Sequence, residues 1–211
     1  MGRLYDSLLS GTSGRTGRIV VANVFGNEIS RIRPKKRTSP PSGKQSLIQK
    51  RMKLCAEFMQ SYRGYACRFF GHRIGLKSGF NLAMTNLMEN FLIDYTASTI
   101  TPDYPMLAFS RGNLLSPVPM DLNLASEGSL VVSWQDNSGG NADRETDQAQ
   151  ILIAAEGESI SLFIENAAMR SDSSYTANIP VNFHGKTLFV WLAFRSQNEL
   201  QASNSLFAGS T

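Results

Sequence analysis

Residues 187–195 read TLFVWLAFR and residues 129–135 read SLVVSWQ. The first segment holds the longest unbroken apolar run of the chain, the seven residues from Leu188 to Phe194. A bilayer-crossing helix needs roughly 20 apolar residues, so a short run rich in aromatic and branched side chains reads as a strand and not as a membrane span. Working outward from these two segments, alternation and turn residues fill the second half of the chain. Candidate strands fall at 106–110, 120–125, 129–135, 149–155, 159–165, 174–180, 187–195 and 203–208. Polar or Gly/Pro residues separate each from the next at the intervals of a β-sandwich.

The last seven of these strands, from Met120 onward, resemble the fibronectin type III pattern in order and spacing. A short Pro-led strand precedes SLVVSW, which puts Trp134 on the second strand, and TLFVWLAF occupies the penultimate, aromatic one. The resemblance covers about 90 residues and implies an Ig-like antiparallel sandwich.

Towards the N-terminus the period becomes helical. Ser78 can cap a helix with the apolar face Phe80, Leu82, Ala83, Leu87, Met88, Phe91 and Leu92. Before it, Gly64 breaks the pattern, and Tyr65, Cys67, Phe69 and Phe70 form a short segment ending near Gly71. A first helix starts from Ser42 as N-cap and buries Leu47, Ile48, Met52, Leu54, Cys55, Phe58 and Met59, with Gln45, Gln49, Lys50, Lys53 and Glu57 on its wet side. Aromatics and methionines at helical spacing, with no ligand group among them, read as core. Cys55 and Cys67, twelve apart, have neither zinc nor disulfide spacing and read as buried reduced thiols.

The first 41 residues are of a third kind. Ile19, Val20, Val21 and Val24, then Gly26-Asn27, then Ile29 to Arg33 predict a β-hairpin with strands near 17–25 and 28–33, because Gly-Asn tolerates the positive φ of a tight turn. A lone hairpin is marginal in water and needs cover from elsewhere. Residues 34–43, PKKRTSPPSG, carry three prolines and predict an extended arm. The chain is therefore α+β: an N-terminal hairpin and basic arm over 1–41, a small helical segment over 42–105, and a β-sandwich over 106–211.

Charge divides the chain in the same sense. Residues 1–79 hold 16 Lys/Arg and 3 Asp/Glu, net +13, and residues 80–211 hold 5 and 14, net −9, which together give the chain's +4. Such asymmetry points to a polyanion as partner of the basic part, or to head-to-tail contact between copies of the chain.

The whole chain also resembles an uncharacterised family of about 200 residues known from Bacteroidetes genomes. The matching stretches are SGRTG (13–17), RIRP (31–34), SLIQKR (46–51), GFNLA (79–83), SRGNL (110–114) and WQDNSG (134–139). The resemblance implies an architecture and no reaction.

Direct signs of catalysis are lacking. GTSGRTGR precedes a strand and lacks the lysine of a phosphate-binding P-loop, so it reads as a glycine-rich turn. His72 and His184 have no spaced His, Cys or carboxylate partner. The loop 136–147, DNSGGNADRETD, holds four acidic residues, but EF-hand order is absent and Arg144 sits inside it, so it reads as a solvated inter-strand loop ahead of a calcium site. No cofactor or small-molecule substrate is implied.

The expectation is a non-catalytic structural protein that self-assembles into a homo-oligomer such as a filament, lattice or virion-like component. Its contacts would be made by Arg15, Arg18, Arg31, Arg33, Lys35, Lys36 and Arg37. The alternative is sequence-independent nucleic-acid binding by the same residues, with Tyr62, Tyr65, Phe69 and Phe70 as a stacking platform. With neither a signal peptide nor a membrane span, a cytoplasmic location is expected.

Overall fold

A computed structural model of the chain describes residues 2–24, 26–35, 38–72, 75, 77–126 and 128–211. The chain divides into two compact units, residues 1–42 with 74–76, and residues 43–73 with 77–211.

The first unit holds four short strands: β1 (Gly2–Arg3), β2 (Gly14–Thr16), β3 (Ile19–Val24) and β4 (Asn27–Ile32). They form one antiparallel sheet in the order β1-β4-β3-β2. The predicted hairpin is the β3–β4 pair, but it is not alone, since both flanking segments join its edges. The turn falls one residue earlier than Gly26-Asn27 suggested: Val24 pairs with Asn27, and Gly26, at φ +80, receives support from its own N–H donating to Asn23 Oδ1 at 2.8 Å. The glycine-rich stretch is also more ordered than a loop. Gly14 and Thr16 pair with Val21 and Ile19, and Gly17 turns the chain at φ +58, a conformation open to a residue without a Cβ.

The second unit opens with three helices, α1 (Gly43–Met59), α2 (Arg63–Phe69) and α3 (Gly79–Asn90). Ser78 caps α3 as expected, its hydroxyl accepting from the N–H of Asn81. Two expectations fail nearby. Phe91 and Leu92 do not extend α3: the chain turns directly into the hairpin β5 (Phe91–Asp94) and β6 (Thr99–Pro102), because the Asp94 carboxylate accepts from the N–H groups of Thr96 and Ala97 and closes the turn. On α1, Ile48 and Met52 are exposed, and burial is confined to the second half, at Cys55, Phe58 and Met59.

All seven fibronectin-like strands form: β7 (Pro119–Ser126), β8 (Ser129–Trp134), β9 (Gln148–Ala155), β10 (Leu162–Ile164), β11 (Ser174–Asn178), β12 (Leu188–Arg195) and β13 (Leu206–Ser210). A short helix, α4 (Ala142–Glu145), sits between β8 and β9. The strands make a three-stranded sheet β11-β8-β7 and a four-stranded sheet β10-β9-β12-β13, every pair antiparallel. Leu130, Val132 and Trp134 meet Ile151, Ile153, Val190, Leu192 and Phe194 between the sheets. The predicted strand 106–110 is absent. A 3-10 turn occupies Tyr104–Met106, and the N–H groups of Phe109 and Ser110 donate to the Ser205 hydroxyl instead of to a ladder carbonyl.

The helical segment and the sandwich do not form separate bodies. β8 alternates in burial, but β9 and β12 are buried almost throughout. A strand apolar on both faces needs cover on both. The second face of the larger sheet, with Leu152, Ala154, Trp191 and Ala193, packs on Phe58, Met59, Tyr62, Phe91 and Phe109 in one core. Ser161 fastens this contact, its hydroxyl donating to the Phe58 carbonyl at 2.7 Å.

Candidate functional site

The register of the N-terminal sheet sorts its side chains onto two faces. Arg15 pairs with Val20 and Val20 with Arg31, so the two arginines flank a valine on one face. In the next row Arg3 pairs with Ile29 and Ile29 with Ala22. Arg3, Arg15 and Arg31 therefore share a face with Val20, Ala22 and Ile29. The other face carries Ile19 opposite Ile32 and Val21 opposite Ser30. Ile19 is 42% and Ile32 75% exposed, and Val21, at 6%, is the one buried side chain among the described residues of this unit.

At one end of the sheet the chain leaving β4 is held to the β2–β3 turn, where the N–H of Arg33 donates to the Arg18 carbonyl at 2.8 Å. This gathers Arg15, Arg18, Arg33 and Lys35 around a cleft of about 430 Å³ with Gly17, Ile32 and Pro34. No carboxylate is among the described residues lining it. The structure thus brings together four of the seven cationic residues singled out in the sequence and places Arg31 on the adjoining face. Lys36 and Arg37 lie outside the described residues, as does Phe25. Arg3 was missed by sequence reasoning, because a two-residue strand gives no periodic signal; its guanidinium lies 3.4 Å from the Tyr5 hydroxyl, whose hydrogen bond holds the Arg3 pKa above its ordinary value.

The proposed stacking aromatics are elsewhere. Tyr62, Tyr65, Phe69 and Phe70 are all buried in the helix–sheet core. Burial pushes the Tyr62 and Tyr65 phenols up, out of any working range. The acidic loop is no common cage either: Asp136 accepts from the N–H of Ser138, Asn141 caps α4, and Asp147 is buried against Arg170 at 2.8 Å. The expectation of a fully solvated loop is corrected at that residue. Cys55 is buried as expected, its thiol pushed up to about 11 by burial, but Cys67 is exposed. His184 lies within 3.1 Å of the Ile179 carbonyl, and no cluster of three metal-ligating side chains occurs among the described residues. No helix among them is long and apolar enough to cross a membrane.

Three of the six stretches that carry the family resemblance, GFNLA, SRGNL and WQDNSG, fall at closure points of the fold. A Cβ on Gly79 would lie 2.8 Å from the Cys67 carbonyl oxygen, and one on Gly112 would lie 2.0 Å from that of Ala202, so both positions need glycine for close approach. The Ser110 hydroxyl donates to the Ser203 carbonyl, and Trp134 Nε1 to the Arg170 carbonyl at 2.9 Å. Asn137 bridges Arg170 and the Ser116 carbonyl.

No curated protein matches the chain. Among solved structures, the fn3 domain of human contactin 1 is similar, at 9% identity and a TM-score of 0.31, covering 48% of this chain and 75% of that one. A family profile matches residues 11–209, nearly the full length, and the chain belongs to this family of unknown function, DUF6266.

Proposed function

We propose that the chain is a non-catalytic assembly protein whose N-terminal sheet docks on a second copy of itself. The observation that carries this reading is a four-stranded sheet in which Val21 alone is buried among the described residues, with Ile19 and Ile32 exposed on one face and three arginines on the other. Such a sheet lacks the apolar cover that sheets need. Charge complementarity favours a second copy as occupant. The N-terminal part, residues 1–42, has 8 Lys/Arg and 2 Asp/Glu, net +6, and finds a matching surface in residues 80–211, net −9, where Asp121, Asp143, Glu156 and Glu165 are exposed. The outer strands β1 and β2 have two and three residues, which favours contact through a face over addition of a strand.

Nucleic-acid binding is the second reading. It is favoured by the carboxylate-free cleft of Arg15, Arg18, Arg33 and Lys35, and disfavoured by the burial of the four aromatics. Light scattering after size exclusion, at about 50 and 500 mM salt and with and without duplex DNA, separates the two. Assembly requires a DNA-free oligomer that dissociates at high salt and in the Arg15→Glu/Arg31→Glu variant. A monomer at both salt concentrations that binds DNA with a steep salt slope refutes assembly and supports the second reading.

A further inference from the structure

A separate cleft, of about 560 Å³, lies in the second unit between the end of α2 and the loops around residues 112 and 201, lined among others by Arg68, His72, Arg111, Asn113, Gln201 and Asn204. Its volume is within the roughly 300–1,000 Å³ of small-molecule sites. No carboxylate is among the described residues lining it, although the unit that holds it, residues 43–73 and 77–211, carries 15 Asp/Glu beside 13 Lys/Arg.

Both guanidiniums are supported from below. Arg68 lies over the Phe69 ring and Arg111 over the Phe70 ring, each at 5.1 Å from the centroid, and both rings are buried. Stacking holds an arginine in place while leaving its fork of donors free. Arg68 shares its charge with Glu199 at 3.5 Å, whereas no ion pair to Arg111 occurs among the described residues.

The walls are fixed by backbone. The Arg111 N–H donates to the Phe69 carbonyl and the Gly71 N–H to the Arg111 carbonyl, at 2.9 and 2.8 Å. On the other side the Gly112 N–H donates to Asn204 Oδ1 at 3.1 Å, and the Leu114 N–H to the Ala202 carbonyl, also at 3.1 Å. Gly112 permits this approach, since a Cβ there would meet the Ala202 carbonyl oxygen at 2.0 Å. The cleft is thus a preformed seat with a charged donor fork, a second, shared guanidinium, an imidazole and side-chain amides.

We propose that this cleft binds a small oxyanion, a carboxylate- or phosphate-bearing molecule, with Arg111 as its principal contact and Arg68 as a weaker one. Planar guanidinium forks recognise both anion types by paired hydrogen bonds. The site is independent of the N-terminal sheet. Titration calorimetry of the full chain with citrate and with inorganic phosphate, at constant ionic strength, tests it. The expected result is saturable binding of one anion per chain, weakened about ten- to a hundredfold in Arg111→Gln, as for loss of a charged hydrogen bond, and unchanged in Arg15→Gln/Arg18→Gln. Tighter binding of citrate assigns carboxylates and tighter binding of phosphate assigns phosphates; either supports the site. Absence of saturable binding of both anions, or equal affinity in a folded Arg111→Gln protein, overturns it. Arg111 is exposed, so its replacement leaves the core intact.

Discussion

Replacing Asp147 with alanine strands a guanidinium inside the sandwich. Arg170 is 0% and Asp147 3% exposed by side chain, and they meet at 2.8 Å. The guanidinium also donates to the Leu115 carbonyl and to Asn137 Oδ1 and lies 4.0 Å from the Phe194 ring centroid. Burial pushes the Asp147 carboxyl up and the Arg170 guanidinium down, each opposed by its partner, so desolvation outweighs pairing at both groups. Breaking such a pair from one side costs about 3–5 kcal/mol, because the remaining charge is buried without its counter-ion. With a urea dependence of about 2 kcal/mol per molar, the Asp147→Ala midpoint falls by about 1.5–2.5 M. Both tryptophans of the chain, Trp134 and Trp191, lie in the cores of the second unit, so intrinsic fluorescence reports on this unit. The double variant Asp147→Leu/Arg170→Met removes both charges together and unfolds at higher urea than either Asp147→Ala or Arg170→Ala. An Asp147→Ala midpoint within about 0.5 M of the parent, at an unchanged slope, refutes this account of the pair.

Gly112→Ala pushes a methyl against the Ala202 carbonyl and destabilises by about 3 kcal/mol, read as a lowered thermal midpoint, whereas alanine at Gly43, with open space around its Cβ position, leaves that midpoint nearly unchanged. Thiol titration with a chromogenic disulfide gives one reactive group per native chain, Cys67, and two in denaturant, when Cys55 is released from the core. The N–H groups of Ala97 and Thr96 hold the Asp94 carboxyl below its ordinary range. A carboxyl with a depressed folded pKa stabilises above its unfolded value near pH 4, and that contribution fades as pH falls through the folded value. Asp94→Asn therefore flattens the acid limb of a stability–pH curve, and an acid limb identical to the parent's would count against the turn's carboxylate.

The sandwich was legible because its strands carry their own signal. SLVVSW alternates and became β8, and the seven strands from Met120 onward stand in the expected order. The hairpin β5–β6 was not legible. FLID follows a helical face without Gly or Pro, and the feature that turns the chain is a single carboxylate at Asp94. Nor was the absence of a strand at 106–110, since the Ser205 hydroxyl that replaces its ladder comes from 95 residues away. The helix–sandwich boundary vanished for a reason present in the sequence: AQILIAA and LFVWLAF are apolar without alternation, the pattern of strands covered on both faces. At the candidate site, spacing identified the cationic residue types but not their arrangement. Arg15 and Arg31 become neighbours across Val20 through pairing of β2, β3 and β4, and pairing register is invisible along a single strand.

Double-sided burial also bears on the charge asymmetry. β9 and β12 contribute no acidic residue and bury nearly all their side chains, so the described acidic residues beyond position 79 are carried by helices, outer strands, turns and loops, and Asp147 alone of them is buried. The first unit is built the other way, with arginines on its strands and one buried valine among its described residues. A buried valine contributes about 1.5–3 kcal/mol, whereas fixing each backbone residue costs about 1–2 kcal/mol, so the sheet is not held by a core of its own. In the assembly proposed above, its cohesion draws on the acidic surface of a second copy. On that proposal, raising salt weakens the sheet's contact with the second copy and leaves the apolar core of the sandwich in place, a difference that size exclusion and tryptophan fluorescence at low and high salt would read.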